Sequence, residues 1–91
     1  MVWSRIDEQR AAAARHLKAI EAEFGPEGLH SLCSGVWARA LAAAHVSILH
    51  GDGPNAALIL DRALTVLERA PELARRQELR PEDLEALVTA G

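Results

Sequence analysis

Residues 45 to 57, HVSILHGDGPNAA, place His45, His50 and Asp52 close together, with Gly51, Gly53 and Pro54 between and after them. Such residue types can hold a metal, move protons or line a phosphate loop, and spacing decides among these uses. A helical metal pair needs an i, i+3 or i, i+4 relation, so that both rings share one face. His45 and His50 are five apart, about 140° around a helix that turns 100° per residue. Position 49, which would complete a pair with His45, is Leu49, and His16 and His30 have no histidine at either spacing. The glycines carry neither the GxxxxGK[ST] nor the GxGxxG pattern of a phosphate-binding loop.

Cys33 lies three residues after His30, a spacing at which an imidazole can activate a thiol. Cys33 also falls on the most apolar stripe of the chain, where a cysteine acts as a small hydrophobe. The carboxylate pairs Asp7–Glu8, Glu21–Glu23 and Glu82–Asp83 fall on exposed helix faces or first turns, where solvation and the helix dipole account for them. The reading therefore assigns no catalytic, cofactor-binding or metal-ligating residue. It expects a non-enzyme with no cofactor and no small-molecule substrate.

What positions these residues is a series of helices. The strong breaks are Gly25-Pro26, Gly51-Asp52-Gly53-Pro54, Ala70-Pro71 and Arg80-Pro81. No segment between them alternates with period two, so no strand is expected. Four main helices are predicted, at about 5–24, 27–50, 54–70 and 81–90, with a short helical turn near 72–77. The expected fold is an all-α compact bundle in a single domain, residues 1–91. Ser4 is the predicted N-cap of the first helix. Its apolar stripe runs through Trp3, Ile6, Ala13, Leu17, Ile20 and Phe24, interrupted only by Arg10. Gly51 is the predicted C-cap glycine of the second helix, Asp52 or Gly53 caps the third, and Pro54 opens it.

The second helix is the most informative. Between Leu29 and His50 its only Asp, Glu, Lys or Arg is Arg39. A helix apolar nearly all round is expected to be buried nearly all round, and 91 residues offer few elements to bury it. Leu32, Val46 and Leu49 lie off the main apolar face, so a second chain is expected to cover part of this helix. The candidate interface residues are Leu32, Trp37, Val46 and Leu49, although a core position suits Trp37 better.

Composition narrows the classes further. The net charge is −3, without the basic excess of proteins built to neutralise phosphates. One cysteine excludes an intrachain disulfide and multi-cysteine zinc sites, and fits a reducing compartment. The N-terminus MVWSRIDEQR lacks the order of a secretory signal, and no run is read as a membrane span. The expected location is cytoplasmic.

Two stretches resemble known motifs. ELARRQELRPEDLEALV, within residues 71–88, resembles the helix-turn-helix of DNA-binding proteins, with Leu73, Ala74, Leu79, Leu84 and Leu87 at packing positions. Glu78 stands where that turn favours glycine, and Glu82, Asp83 and Glu85 crowd the start of the implied recognition helix, where base edges and phosphates lie. Residues 40–67, with Gly51-Asp52 in the turn and Ala56 and Ala63 beyond it, resemble one helical hairpin of the tetratricopeptide type, without a second copy at that family's period. The leading expectation is a non-enzymatic protein–protein interaction module, of the adaptor, assembly or regulatory kind, that forms a homodimer. The alternatives are a small DNA-binding regulator using 71–88, and a metal- or thiol-dependent enzyme around His30, Cys33, His45 and His50.

Overall fold

Where the backbone leaves the right-handed helical region, the chain turns. Gly28 has φ 64° and Gly51 φ 77°, a left-handed conformation that a residue with a Cβ adopts only with strain. A computed structural model describes the backbone of residues 2–76 and the side chains of residues 5–76. Among the described residues the fold is all-helical, with α1 at Val2–Phe24, α2 at Leu29–Leu49 and α3 at Gly53–Arg75.

The cap between α2 and α3 matches the sequence. His50 is the C-cap of α2 and Gly51 follows it. The Asp52 side chain accepts a hydrogen bond from the Asn55 backbone N–H at 3.1 Å, and Pro54 sits in the first turn of α3. Three other boundaries differ from expectation. Helix α1 starts at Val2, so Ser4 lies inside it and is not its cap. Helix α2 starts at Leu29 because Gly28, with ψ −118°, is not helical. Helix α3 does not stop at Ala70 but runs through Pro71 to Arg75.

This last difference has an energetic reason. Pro71 offers no N–H to the carbonyl four residues earlier, a loss of about 3 kcal/mol in a helix interior. Packing on both sides of the proline offsets it. Leu67 and Ala70 are buried before it, and Leu73 and Ala74 pack against the core after it. Arg75 then holds Glu23 of α1 through two hydrogen bonds of 2.6 Å. Residues 72–75 are therefore the last turn of α3 and not a separate helical turn. The described residues form three helices, not four; the helix expected at 81–90 lies outside them.

Helix α3 is the central element, packed against both α2 and α1 and most extensively against α2, while α1 and α2 touch each other less. Its buried face consists of Ala56, Ala57, Leu60, Ala63, Leu67 and Ala70. Helix α1 contributes Ile6, Ala13 and Ile20, and α2 contributes Leu29, Cys33, Val36, Trp37 and Ala44. The alanines on the facing stripes let the helix axes approach closely. The expectation that α2 is buried nearly all round is corrected. Two neighbouring helices cover one face of it, and Ala38, Ala42, Ala43, Val46 and Leu49 are exposed.

One polar residue enters the interior. Gln9 is 5% exposed. Its amide donates to the Ala57 carbonyl at 3.0 Å and to Asp61 Oδ1 at 2.7 Å, and the other Asp61 oxygen accepts from Arg5. Gln9 Oε1 is buried with no partner among the described residues. This network ties α1 to α3. A buried hydrogen bond to a charged group contributes about 1.5–3 kcal/mol, so Gln9→Ala is expected to lower unfolding free energy by about that amount in a urea titration. Gln9→Leu is expected to lose less, because it keeps volume and removes the orphaned acceptor.

The carboxylates of this network set the acid limit. Asp61 is held below its ordinary pKa by the Gln9 hydrogen bond and by Arg5, and Glu23 below its own by Arg75. A depressed folded-state pKa gives stability that is fully present above the unfolded value and lost as pH falls through the lowered one. Stability is therefore expected to decline below about pH 4. Asp61→Asn is expected to flatten that decline, as read by urea midpoints at successive pH values.

Candidate interaction surface

The residues that first drew attention as chemistry do not converge. Among the described residues no group of three or more His, Cys, Asp or Glu is placed to hold a metal. His50 donates from Nδ1 to the Val46 carbonyl at 2.9 Å, within its own helix end. His30 donates from Nδ1 to the Pro26 carbonyl at 3.2 Å, and its Nε2 lies 3.4 Å from a Glu21 carboxylate oxygen. No hydrogen bond among the described residues joins His30 to Cys33. Cys33 is fully buried, and burial pushes its thiol up to about 11. A thiol of that pKa is almost wholly protonated at neutral pH and is a poor nucleophile.

The stretch that resembles a helix-turn-helix is described only as far as Arg76. Two of its arginines are engaged, Arg75 by Glu23 and Arg76 by Glu72 at 2.8 Å.

What remains is a surface. At 100° per residue, Gly35, Ala38, Ala42, Val46 and Leu49 fall within about 80° of one another on α2. They lie on the side away from Cys33 and Ala44. Ala38 and Ala42 are exposed, and the two large members more so for their size, Val46 at 52% and Leu49 at 72%. Arg39, the one charged residue of α2, stands at the edge of this strip. On one flank a groove of about 350 Å³ opens between α1 and α2, lined by Ile6, Arg10, Leu41, His45, Ile48 and Leu60. Arg10, which interrupts the apolar stripe of α1, lies on that groove.

Of the four expected interface residues, Val46 and Leu49 stand on this surface. Leu32 is half-buried against the core, and Trp37 is a core residue at 8% exposure. Sequence reasoning did not single out Leu58, exposed on α3 at 48%. At 100° per residue it falls opposite the buried face of α3, between Asp61 and Arg62, so helical spacing places it among the charged residues. Nor did it single out Gly35 for more than its small size. Among the described residues an added Cβ at Gly35 would meet nothing within 4 Å. Yet a glycine inside a helix costs about 0.5–1 kcal/mol relative to alanine.

By length and composition α2 is long and apolar enough to cross a bilayer, which corrects the expectation that no segment meets that test; a core helix passes it equally.

The burial of Cys33 is open to measurement. Iodoacetamide at pH 8 is expected to label it at least about 100-fold more slowly in the native chain than in denaturant, since modification must wait for opening of the core. Equal rates would place the thiol on the surface.

No family model matches the chain, and no curated protein or solved structure matches it either.

Proposed function

We propose that this chain is a non-enzymatic helical protein–protein interaction module that associates with itself, serving as an adaptor, assembly or regulatory subunit. The observation that supports this reading is the exposed apolar strip of α2, where Val46 and Leu49 are 52% and 72% open on the least charged helix of the chain. Burying both side chains against a partner gains hydrophobic free energy that the described residues leave unrealised, about 25 cal/mol for each Å² of apolar surface removed from water. An unbroken apolar strip on a small helical protein marks a contact site more often than a solvated face.

The proposal is tested by light scattering and sedimentation across about 10 to 500 µM, a range in which a reversible dimer changes its apparent mass with concentration. The expected result is a mass that rises from near 9.8 kDa toward twice that value. The double variant V46S/L49S is expected to keep its helical circular dichroism and remain at one-chain mass throughout. A wild-type chain that stays at 9.8 kDa over the whole range would contradict self-association.

A further inference from the structure

The net charge of this protein is concentrated at one end of the sequence. Residues 1–76 hold nine Asp or Glu and nine Arg or Lys. Residues 77–91 hold Glu78, Glu82, Asp83 and Glu85 against a single Arg80, so the whole charge of −3 lies beyond α3. Among the described residues, one groove has the opposite character.

That groove lies between α2 and α3, on the side away from α1. The two helices run antiparallel through the short turn at 50–52, where Asn55 donates to Ser47. Helix α1 runs parallel to α3, since Arg5 meets Asp61 near one end and Glu23 meets Arg75 near the other. At 100° per residue, the α3 positions that meet α1, Ala57 and Asp61, fall to one side of Leu60; Val66 and Leu73 fall to the other. Leu32 of α2 comes level with Ala70, beside them. Leu32, Val66 and Leu73 are all half-buried against the core. Arg39 on α2 and Arg62 and Arg69 on α3 are exposed along the two outer edges, and none makes an ion pair among the described residues. The carboxylates of α3, Asp61, Glu68 and Glu72, fall on the α1 side instead, and α2 has none. The groove is apolar at its floor and cationic at both rims.

From this match of charge and pattern we infer that residues 81–90 dock as a helix in the α2–α3 groove of their own chain. Leu84, Leu87 and Val88 form one stripe, and Asp83 and Glu85 stand about 90–110° to either side of it. Laid in the groove, the stripe covers Leu32, Val66 and Leu73, and each flank brings a carboxylate to an arginine rim. The path of the chain favours this place. Helix α3 ends where Arg75 holds Glu23, next to the start of α2, which is the end of the groove that holds Leu32 and Leu73. Residues 77–80 reach up to about 14 Å when extended, more than the 8–10 Å between packed helix axes. Pro81 suits the first turn of the next helix. Ten helical residues span about 15 Å, half the length of α2, so Val46 and Leu49 at the far end stay uncovered. The inference therefore stands apart from self-association.

Charge reversal tests the docking. D83R/E85R and R39E/R69E are each expected to lower the melting midpoint by about 5 °C at low salt, and by much less in 1 M NaCl. Combining the four substitutions is expected to regain at least half of the summed loss, because the pairs are restored with opposite sign. R15E/K18E alters two exposed residues of α1 and is expected to give D83R/E85R no such recovery. Strictly additive losses, or equal recovery with R15E/K18E, would overturn the docking.

Methyl NOE spectra of the wild-type chain decide the matter even if a reversed variant fails to fold. Cross-peaks from Leu84 and Leu87 to Leu32 or Leu73 are expected, and they should vanish from the isotope-filtered spectrum of a labelled and unlabelled mixture. Absence of these cross-peaks, or their survival only between molecules, overturns docking within one chain.

Discussion

A helix with two neighbours has one covered face, and that constraint governs most of what this chain presents. Helix α2 carries a single charge along 21 residues, so its composition asks for burial on every side. Helix α3 packs along it and α1 closes over part of it. Together they cover Leu29, Cys33, Val36, Trp37 and Ala44. Among the described residues the opposite face, from Gly35 to Leu49, is uncovered. Covering it within the described residues would require a further helix. The outward direction of the proposed function follows from this geometry and from no reactive group.

The covered face stays closed because α1 is tied to α3 near both of its ends. Near the start of α1, Gln9, Arg5 and Asp61 form one network with α3; near its end, Glu23 grips Arg75. The facing stripe of α3, rich in alanine, leaves the rotation and register of α1 weakly specified, because small side chains interlock little. Directional hydrogen bonds to a carboxylate supply that specificity. The orphaned Gln9 oxygen is the local cost of placing an amide where the rest of the stripe is apolar. The same arrangement explains how α3 continues past Pro71. The turn beyond the proline contributes Leu73, Ala74 and Arg75 to contacts that repay a missing backbone hydrogen bond.

Much of this was legible from residue order. The helical class, the stop at Gly51, the Asp52 cap and the buried stripe of α1 all follow from local rules of spacing and capping, because those rules concern neighbours along the chain. The exclusion of a histidine pair followed from a 140° separation and agrees with the placement of His50 on its own helix end. Pro71 was misread because the sequence shows the lost hydrogen bond but not the long-range packing that offsets it. Gln9 was overlooked because its partners are 48 and 52 residues away. The burial of α2 was overestimated because composition reports what a helix prefers, whereas the number of neighbours decides what it receives. Val46 and Leu49 were correctly placed off the main face, and both are exposed among the described residues.

The claim at the centre of this account is that the open face of α2 is filled by its own copy. The most direct measurement is an isotope-filtered NOE spectrum of a mixture of labelled and unlabelled chains at high concentration. Only contacts between molecules survive the filter. The account predicts intermolecular cross-peaks to the methyl protons of Val46 and Leu49, which are exposed on one chain. No such cross-peaks at concentrations where the mass has doubled would contradict it.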